Sequence, residues 1–340
     1  MKKIILIIIC LLFLTGCYDY QELSDMNIVN GIGIDFKDEE YIVSLETVKS
    51  SKGESSSKIT TNVISGKDKI LANAINQAIN NSGKKAYFKH VDLVIISEEL
   101  AKNGIGDVVD YMLRDVTVSS SFFTVVAEDP NEILTTEIDD GSISSLIVDT
   151  IKYNVDATQI DNIDLIVSNI INEKKDIALP YIEMKDENAI IDNIAYFKKA
   201  KMVGKMNNKI YNFLILKSDN LDFDNGDNVI NIYKKDIKYD VKKDKILIDI
   251  KGMGKVKKIN EDTNLEDKDS YRKIEKGIQE TIATEVEEFI DEALESESDL
   301  VGFKDLYYKI YGKEKDKIPY EVNVDIKITR NGAIYETIHN

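Results

Sequence analysis

Histidine and cysteine are the side chains that most often hold metal or act as nucleophiles, and this 340-residue chain carries two of each. His90 precedes an apolar run and His339 is next to last. No HExxH motif, no paired Cys–His set and no serine elbow occurs, so the common zinc and nucleophile arrangements are missing. Carboxylate pairs such as Glu98-Glu99, Asp139-Asp140 and Glu287-Glu288 are frequent, but in a chain with 61 acids neighbours arise by chance and mostly face water. Gly31-Ile32-Gly33-Ile34-Asp35 invites a dinucleotide reading that fails, because Phe36 stands where a third glycine belongs and no helix pattern follows at once. Glycines within a strand more often permit close packing or a bulge. These residues point away from an enzyme and imply neither a metal nor a cofactor.

Cys17 has a chemistry of its own. Lys2 and Lys3 precede an apolar run from Ile4 to Leu14, broken only by Cys10, and Leu14-Thr15-Gly16-Cys17 closes it. A charged start, an apolar core of about 7–15 residues and a small residue before the cut describe a secretory signal. Its last four residues resemble the lipobox of bacterial lipoproteins, whose thiol takes a diacylglycerol group before cleavage exposes the cysteine. The expectation is a signal peptide over residues 1–16 and a covalent lipid on Cys17. An uncleaved anchor is the weaker reading, since a spanning helix needs about 20 apolar residues and Thr15, Gly16 and Asp19 interrupt the run. Cys10 leaves with the signal, so the mature chain has no disulfide and must be stable through its core alone.

Charge removes another class of function. Losing Lys2 and Lys3 takes the net charge from −17 to −19. Nucleic-acid binding needs Lys and Arg against phosphates, and no basic stripe is present. Anionic headgroups repel such a body, so its membrane affinity has to come from acyl chains, of which two or more hold stably.

Stepwise patterning predicts an α+β chain in blocks. In residues 17–185, Ile28–Phe36 and Tyr41–Val48 read as a hairpin, and Lys49–Lys58 as a polar loop. A helix is expected over 67–81, a buried strand at Val91–Ser97, a short helix capped by Ser97 and ended by Gly104, and a helix over 104–115. A strand at Ser121–Glu128, a cap at Asp129-Pro130, helices near 142–156 and 159–173, and a strand around Pro180 complete the block. Residues 186–258 read mainly as β, with a hairpin from Ile190–Lys198 and Lys201–Lys205. Residues 259–340 combine a long amphipathic helix, antiparallel strands from Tyr320 to Ile328, an Asn331-Gly332 turn and a last strand at Ala333–Ile338. The expected architecture is three domains with mixed or antiparallel sheets flanked by helices.

Within the long helix, Tyr271, Ile274, Ile278, Ile282, Val286, Phe289 and Ala293 recur every three or four residues. Such a stripe is core more often than a binding groove. Tyr307, Tyr308, Tyr311 and Tyr320 gather nearby, and tyrosine is enriched at interfaces, which makes Tyr307, Tyr308 and Tyr320 candidate contact residues. His90, Asp110 and Arg114 form either a buried polar network, the commoner case for any one such residue, or a second candidate contact set.

The ordered segments resemble a known family. Leu14–Cys17, Glu22-Leu23 and Ile28–Asp35 (IVNGIGID) are similar to the start of the spore germination receptor C-subunit lipoproteins, the Ger(x)C family. The likeness continues through Lys89-His90-Val91, Leu93–Ser97, Glu99–Gly104 and Asp110–Asp115 (DYMLRD). It reaches Leu179-Pro180, Ala195–Lys198, Met202–Gly204, Asp299–Phe303 and the strands up to Gly332. Tyr18 and Tyr320 stand where the family usually has tryptophan. This resemblance implies a three-domain, non-catalytic lipoprotein on the outer face of the spore inner membrane. Its implied partners are two membrane-embedded subunits of a nutrient-sensing receptor. A substrate-binding lipoprotein of a membrane transporter is the alternative, and would normally show two doubly wound lobes.

Overall fold

The computed structural model describes residues 26–52, 57–114, 121–139, 141–154, 163–172, 175–185, 188–259 and 268–329. Cys17 and the expected strand at 333–338 lie outside them. The chain opens with an antiparallel ladder of β1 (Met26–Lys37), β2 (Glu40–Lys52) and β3 (Ser57–Asp68). Asp38 and Glu39 turn the first hairpin with φ of 55° and 61°. Positive φ at both central residues gives a turn whose twist matches that of the strands it joins. The helix α1 (Leu71–Ser82) buries Leu71, Ala74, Ile75 and Ala78 and ends at Gly83 in the left-handed region. It starts later than its apolar spacing predicts, because Lys67 and Asp68 still pair with β2. The Asp68 carboxylate then accepts the Ile70 N–H at 2.9 Å.

Parallel strands form the middle of this sheet. β4 (Lys85–Tyr87) and β5 (Leu93–Ser97) run beside β1, β6 (Phe123–Ala127) beside β5, and β7 (Ala178–Lys185) beside β6. Parallel strands are covered on both faces and read as unbroken apolar runs, and every residue of β5 is buried. The coverings are α2 (Glu98–Asn103), α3 (Gly106–Arg114), α4 (Pro130–Leu134), α5 (Ile143–Asn154) and α6 (Ile163–Asn172). Ser97 caps α2 by accepting the Leu100 N–H, and Asp129 caps α4 through Asn131 and Glu132 N–H, both as expected. The β1 glycines admit close neighbours. A Cβ at Gly33 would lie 2.9 Å from Pro130 Cβ, and one at Gly31 would overlap Ser144 Oγ.

Antiparallel pairing resumes with β8 (Asn188–Lys198) and β9 (Lys201–Asn207), giving the order β3-β2-β1-β5-β6-β7-β8-β9 with β4 beside β1. β7 and β8, on either side of the expected start of the middle block, thus pair within one sheet. After α7 (Lys209–Leu214), a second sheet has the order β10 (Leu221–Asp224), β11 (Val229–Val241), β12 (Ile246–Lys258), β13 (Tyr320–Ile328). Ile246, Ile248 and Ile250 are fully buried under the long helix α8 (Lys268–Glu295), whose Ile278, Ile282 and Val286 are fully buried in turn. The amphipathic stripe is core. β13 pairs with β12 in parallel, where antiparallel strands were expected. The reason is α8, a crossover that returns the chain to the same end of the sheet. A short helix, α9 (Phe303–Tyr311), precedes β13. Ala178, Ile194, Tyr196 and Met206 of the first sheet belong to this second core, so the two sheets share a packed boundary.

Candidate partner-binding groove

The boundary is built where α8 ends. Glu295 closes the helix, Glu297 turns the chain with φ of 60°, and Ser298 Oγ donates to the Phe197 carbonyl of β8 at 2.6 Å. Asp299 then starts α9. Its Oδ1 accepts the N–H groups of Gly302 and Phe303 at 2.9 and 2.8 Å, and its Oδ2 accepts the Lys304 N–H at 2.9 Å. Burial pushes the Asp299 carboxyl above the usual aspartate range, while the three N–H groups pull it back. On the first sheet's side, Asp176 Oδ1 accepts the Lys199 N–H at 2.8 Å and Lys198 Nζ lies 3.4 Å from Oδ2.

Above this junction lies a groove of about 830 Å³. Glu287, Asp291 and Leu294 of α8 form one wall, Phe303 and Lys304 line the start of α9, and the segment from Asp316 to Tyr320 closes the far side. The Tyr320 hydroxyl donates to Asp291 Oδ1 at 2.5 Å and to the Glu287 carbonyl at 3.2 Å. Its ring packs 5.6 Å from that of Phe303. Burial, followed by the Asp291 and Glu287 carboxylates, raises the Tyr320 hydroxyl's pKa, so it stays a donor.

A second, smaller groove of about 480 Å³ is lined by Tyr41, Ile70, Asp107, Tyr111 and the Asp110–Arg114 pair. Tyr41 donates to Asp107 Oδ2 at 2.8 Å, and its pKa is pushed up to about 12 by burial and by that carboxylate. Arg114 Nε bonds both Asp110 oxygens at 2.9 and 2.8 Å on the exposed face of α3. Exposure of the pair overturns the buried-network reading, since i,i+4 residues on an outward helix face meet each other in solvent. His90 is also exposed, with its ring 5.5 Å from Tyr87. The structure joins Asp110 to Arg114 and leaves His90 in a separate contact.

The C-terminal tyrosines divide. Tyr307 is buried, donates to the Lys243 carbonyl at 3.3 Å and packs 4.7 Å from Tyr311, so its ring is spent within its own chain rather than on a surface. Tyr308, one position on, is exposed. Tyr320 alone of the three lines the large groove. Sequence reasoning reads Glu287 only as a water-facing neighbour of Glu288 and does not single out the other acidic residues of that groove. Between Lys276 and Lys304 there are nine acids and no basic residue, and that run was the available signal. Among the described residues, no group of three or more His, Cys, Asp or Glu is placed to hold a metal ion. No described helix is long and apolar enough to cross a membrane.

A mixed sheet extended at both edges, joined through a capped junction to a second sheet under one long helix, is the fold of a known class. The crystal structure of the GerBC protein matches it with a TM-score of 0.54 at 16% identity, over 92% of this chain and all of that one. The model of the spore germination protein N-terminal domain matches residues 19–184. That of the spore germination B3/GerAC-like C-terminal domain matches residues 192–332. Spore germination protein KC of Bacillus subtilis is 23% identical, over 96% of this chain and 95% of the relative. Spore germination protein GerQC of Bacillus cereus is 20% identical, over 98% and 99%. The chain belongs to the Ger(x)C family of germinant receptor C subunits.

Proposed function

We propose that the chain is the lipid-anchored, non-catalytic subunit of a nutrient-sensing spore germinant receptor, held on the extracytoplasmic side of the membrane through Cys17. It acts by contact with two membrane-embedded partner subunits and so permits germination. The observation that carries this reading is family membership along both halves of the chain, with relatives named as spore germination proteins. The lipobox-like Leu14–Cys17 and the charge of −19 agree with it, because a body repelled by anionic headgroups needs acyl chains to stay at a membrane. Anchoring raises the local concentration of the protein domains beside embedded partners.

Cys17→Ala tests the reading. The variant is expected to lose lipid and membrane retention, and nutrient-triggered germination should fall severely. Full retention of the variant in washed spore membranes would defeat the anchoring model.

A further inference from the structure

We propose that the groove at the end of α8 receives a basic segment of a partner protein, seated by one apolar side chain and held by Lys or Arg against α8. Three observations carry this. Leu294 is 37% exposed on an otherwise acidic helix face and, with Phe303 and Ile318, gives the groove an apolar floor. The α8 wall contributes only carboxylates around that floor, Glu287 and Asp291, and Glu297 follows at the turn. The helix itself does not offset this charge: no basic residue stands in the last turn of α8, whose carbonyl end is itself negative.

The remaining charges leave an acidic surplus. Asp299 is committed to backbone N–H groups and Lys198 to Asp176. What faces the groove is then Glu287, Asp291, Glu297 and Asp316 against Lys304 and Lys317. Tyr320 holds Asp291 Oδ1 and so orients the carboxylate, which suits the planar fork of an arginine. A volume of about 830 Å³ accepts a few side chains rather than a whole helix. Anionic headgroups are repelled by such a wall, so the occupant is a protein segment. The inference rests on the receptor-subunit reading for which protein supplies it: an embedded subunit of the same complex.

The test places p-benzoylphenylalanine at Leu294 in the full-length lipidated chain within spores, with a second probe at the exposed Ile310 of α9 as a control outside the groove. Irradiation is expected to link position 294 to an embedded partner subunit through a peptide containing Lys or Arg, and position 310 not to give that adduct. Adding Glu287→Lys and Asp291→Lys should cut the yield about tenfold or more, the scale of losing a close charge pair. Circular dichroism of the purified full-length chain in detergent checks that the charge variants are folded, and Glu287→Gln with Asp291→Gln serves as a milder pair. Co-purification of the embedded subunits with the anchored chain tests the receptor reading separately. If they co-purify but position 294 gives no adduct, an adduct with a second copy or with lipid, or one insensitive to charge, the groove proposal fails and the receptor reading stands. If they do not co-purify, both fail.

Discussion

Asp176 and Asp299 bind each other in both directions across the boundary between the two sheets. The Asp299 N–H donates to Asp176 Oδ2 at 2.8 Å, and the Asp176 N–H donates to the Asp299 carbonyl at 3.2 Å. Asp299 at the same time caps α9 and Asp176 holds the Lys199 N–H of the β8–β9 turn. One pair thus fixes the start of a helix, the tip of a hairpin and the angle between the sheets that frames the groove.

Asp176→Ala is expected to remove the acceptor of the buried Asp299 N–H and to release the tip of the β8–β9 turn at Lys199. An unsatisfied buried donor costs about 1–3 kcal/mol, so a loss of that size is expected in urea unfolding. Amide exchange at Asp299 and Lys199 should speed up more than exchange in β5. A uniform change across the chain would show that the pair does not act locally.

Glu46 is fully buried on β2, 96 or more residues away in sequence from the helix terminus it serves. Its carboxylate accepts Ser142 Oγ at 2.9 Å, the Ile143 N–H at 3.0 Å and the Ser144 N–H at 3.3 Å, capping α5 from across the sheet. Asn30 braces the site by donating to Ser142 Oγ at 2.6 Å. Glu46→Ala should cost about 3 kcal/mol or more, since a charged acceptor is removed from several buried donors. Loss of exchange protection in the first turn of α5 is the local signature to look for.

Elements whose own residues determine them were legible. The stripe from Ile274 to Ala293 needs only helical period, and the Asp129-Pro130 cap only local chemistry. α1 was misplaced at its start because Lys67 and Asp68 suit a helix start as well as an edge strand, and pairing with β2 decides. The parallel setting of β13 depends on where α8 delivers the chain, which alternation within Tyr320–Ile328 does not encode. The large groove was hidden for the same reason. Its lining comes from β8, α8, α9 and the segment leading into β13, which are far apart in sequence and meet beside the Asp176–Asp299 junction. The tyrosines show the limit at one-residue resolution: Tyr307 and Tyr311 share an inward face, and Tyr308 lies one position off it.

Glu98 offers a pH test with a defined sign. Lys102 Nζ at 2.5 Å and the Tyr181 hydroxyl at 2.5 Å both donate to it and hold its carboxyl below the usual value of 4.5. A carboxylate depressed in the folded state contributes stability above its unfolded pKa and loses it as pH falls through the folded one. Glu98→Gln should therefore lower Tm at pH 7, and the gap to the parent should close as pH drops below 4.5. A gap that persists unchanged in acid would mean that the glutamine disturbs packing instead.

The acidic end of α8 carries a cost that a single substitution should reveal. Glu288 and Glu292 are both exposed and stand four residues apart, with Glu295 three further on, all near the negative end of the helix. Like charges at this spacing repel by about 0.2–0.5 kcal/mol per pair, and acids at a helix C-terminus oppose its dipole. Glu292 does not line the groove, so Glu292→Lys removes repulsion without touching the wall proposed to bind a partner. The new lysine would follow Glu288 in the favourable order and should raise stability by about 0.5–1 kcal/mol at low salt. The gain should shrink at 1 M salt, where screening acts within about 3 Å. A gain independent of salt, or a lower Tm, would show that the acidic run is not under electrostatic strain. The argument for a basic partner at Glu287 and Asp291 would then lose one of its supports.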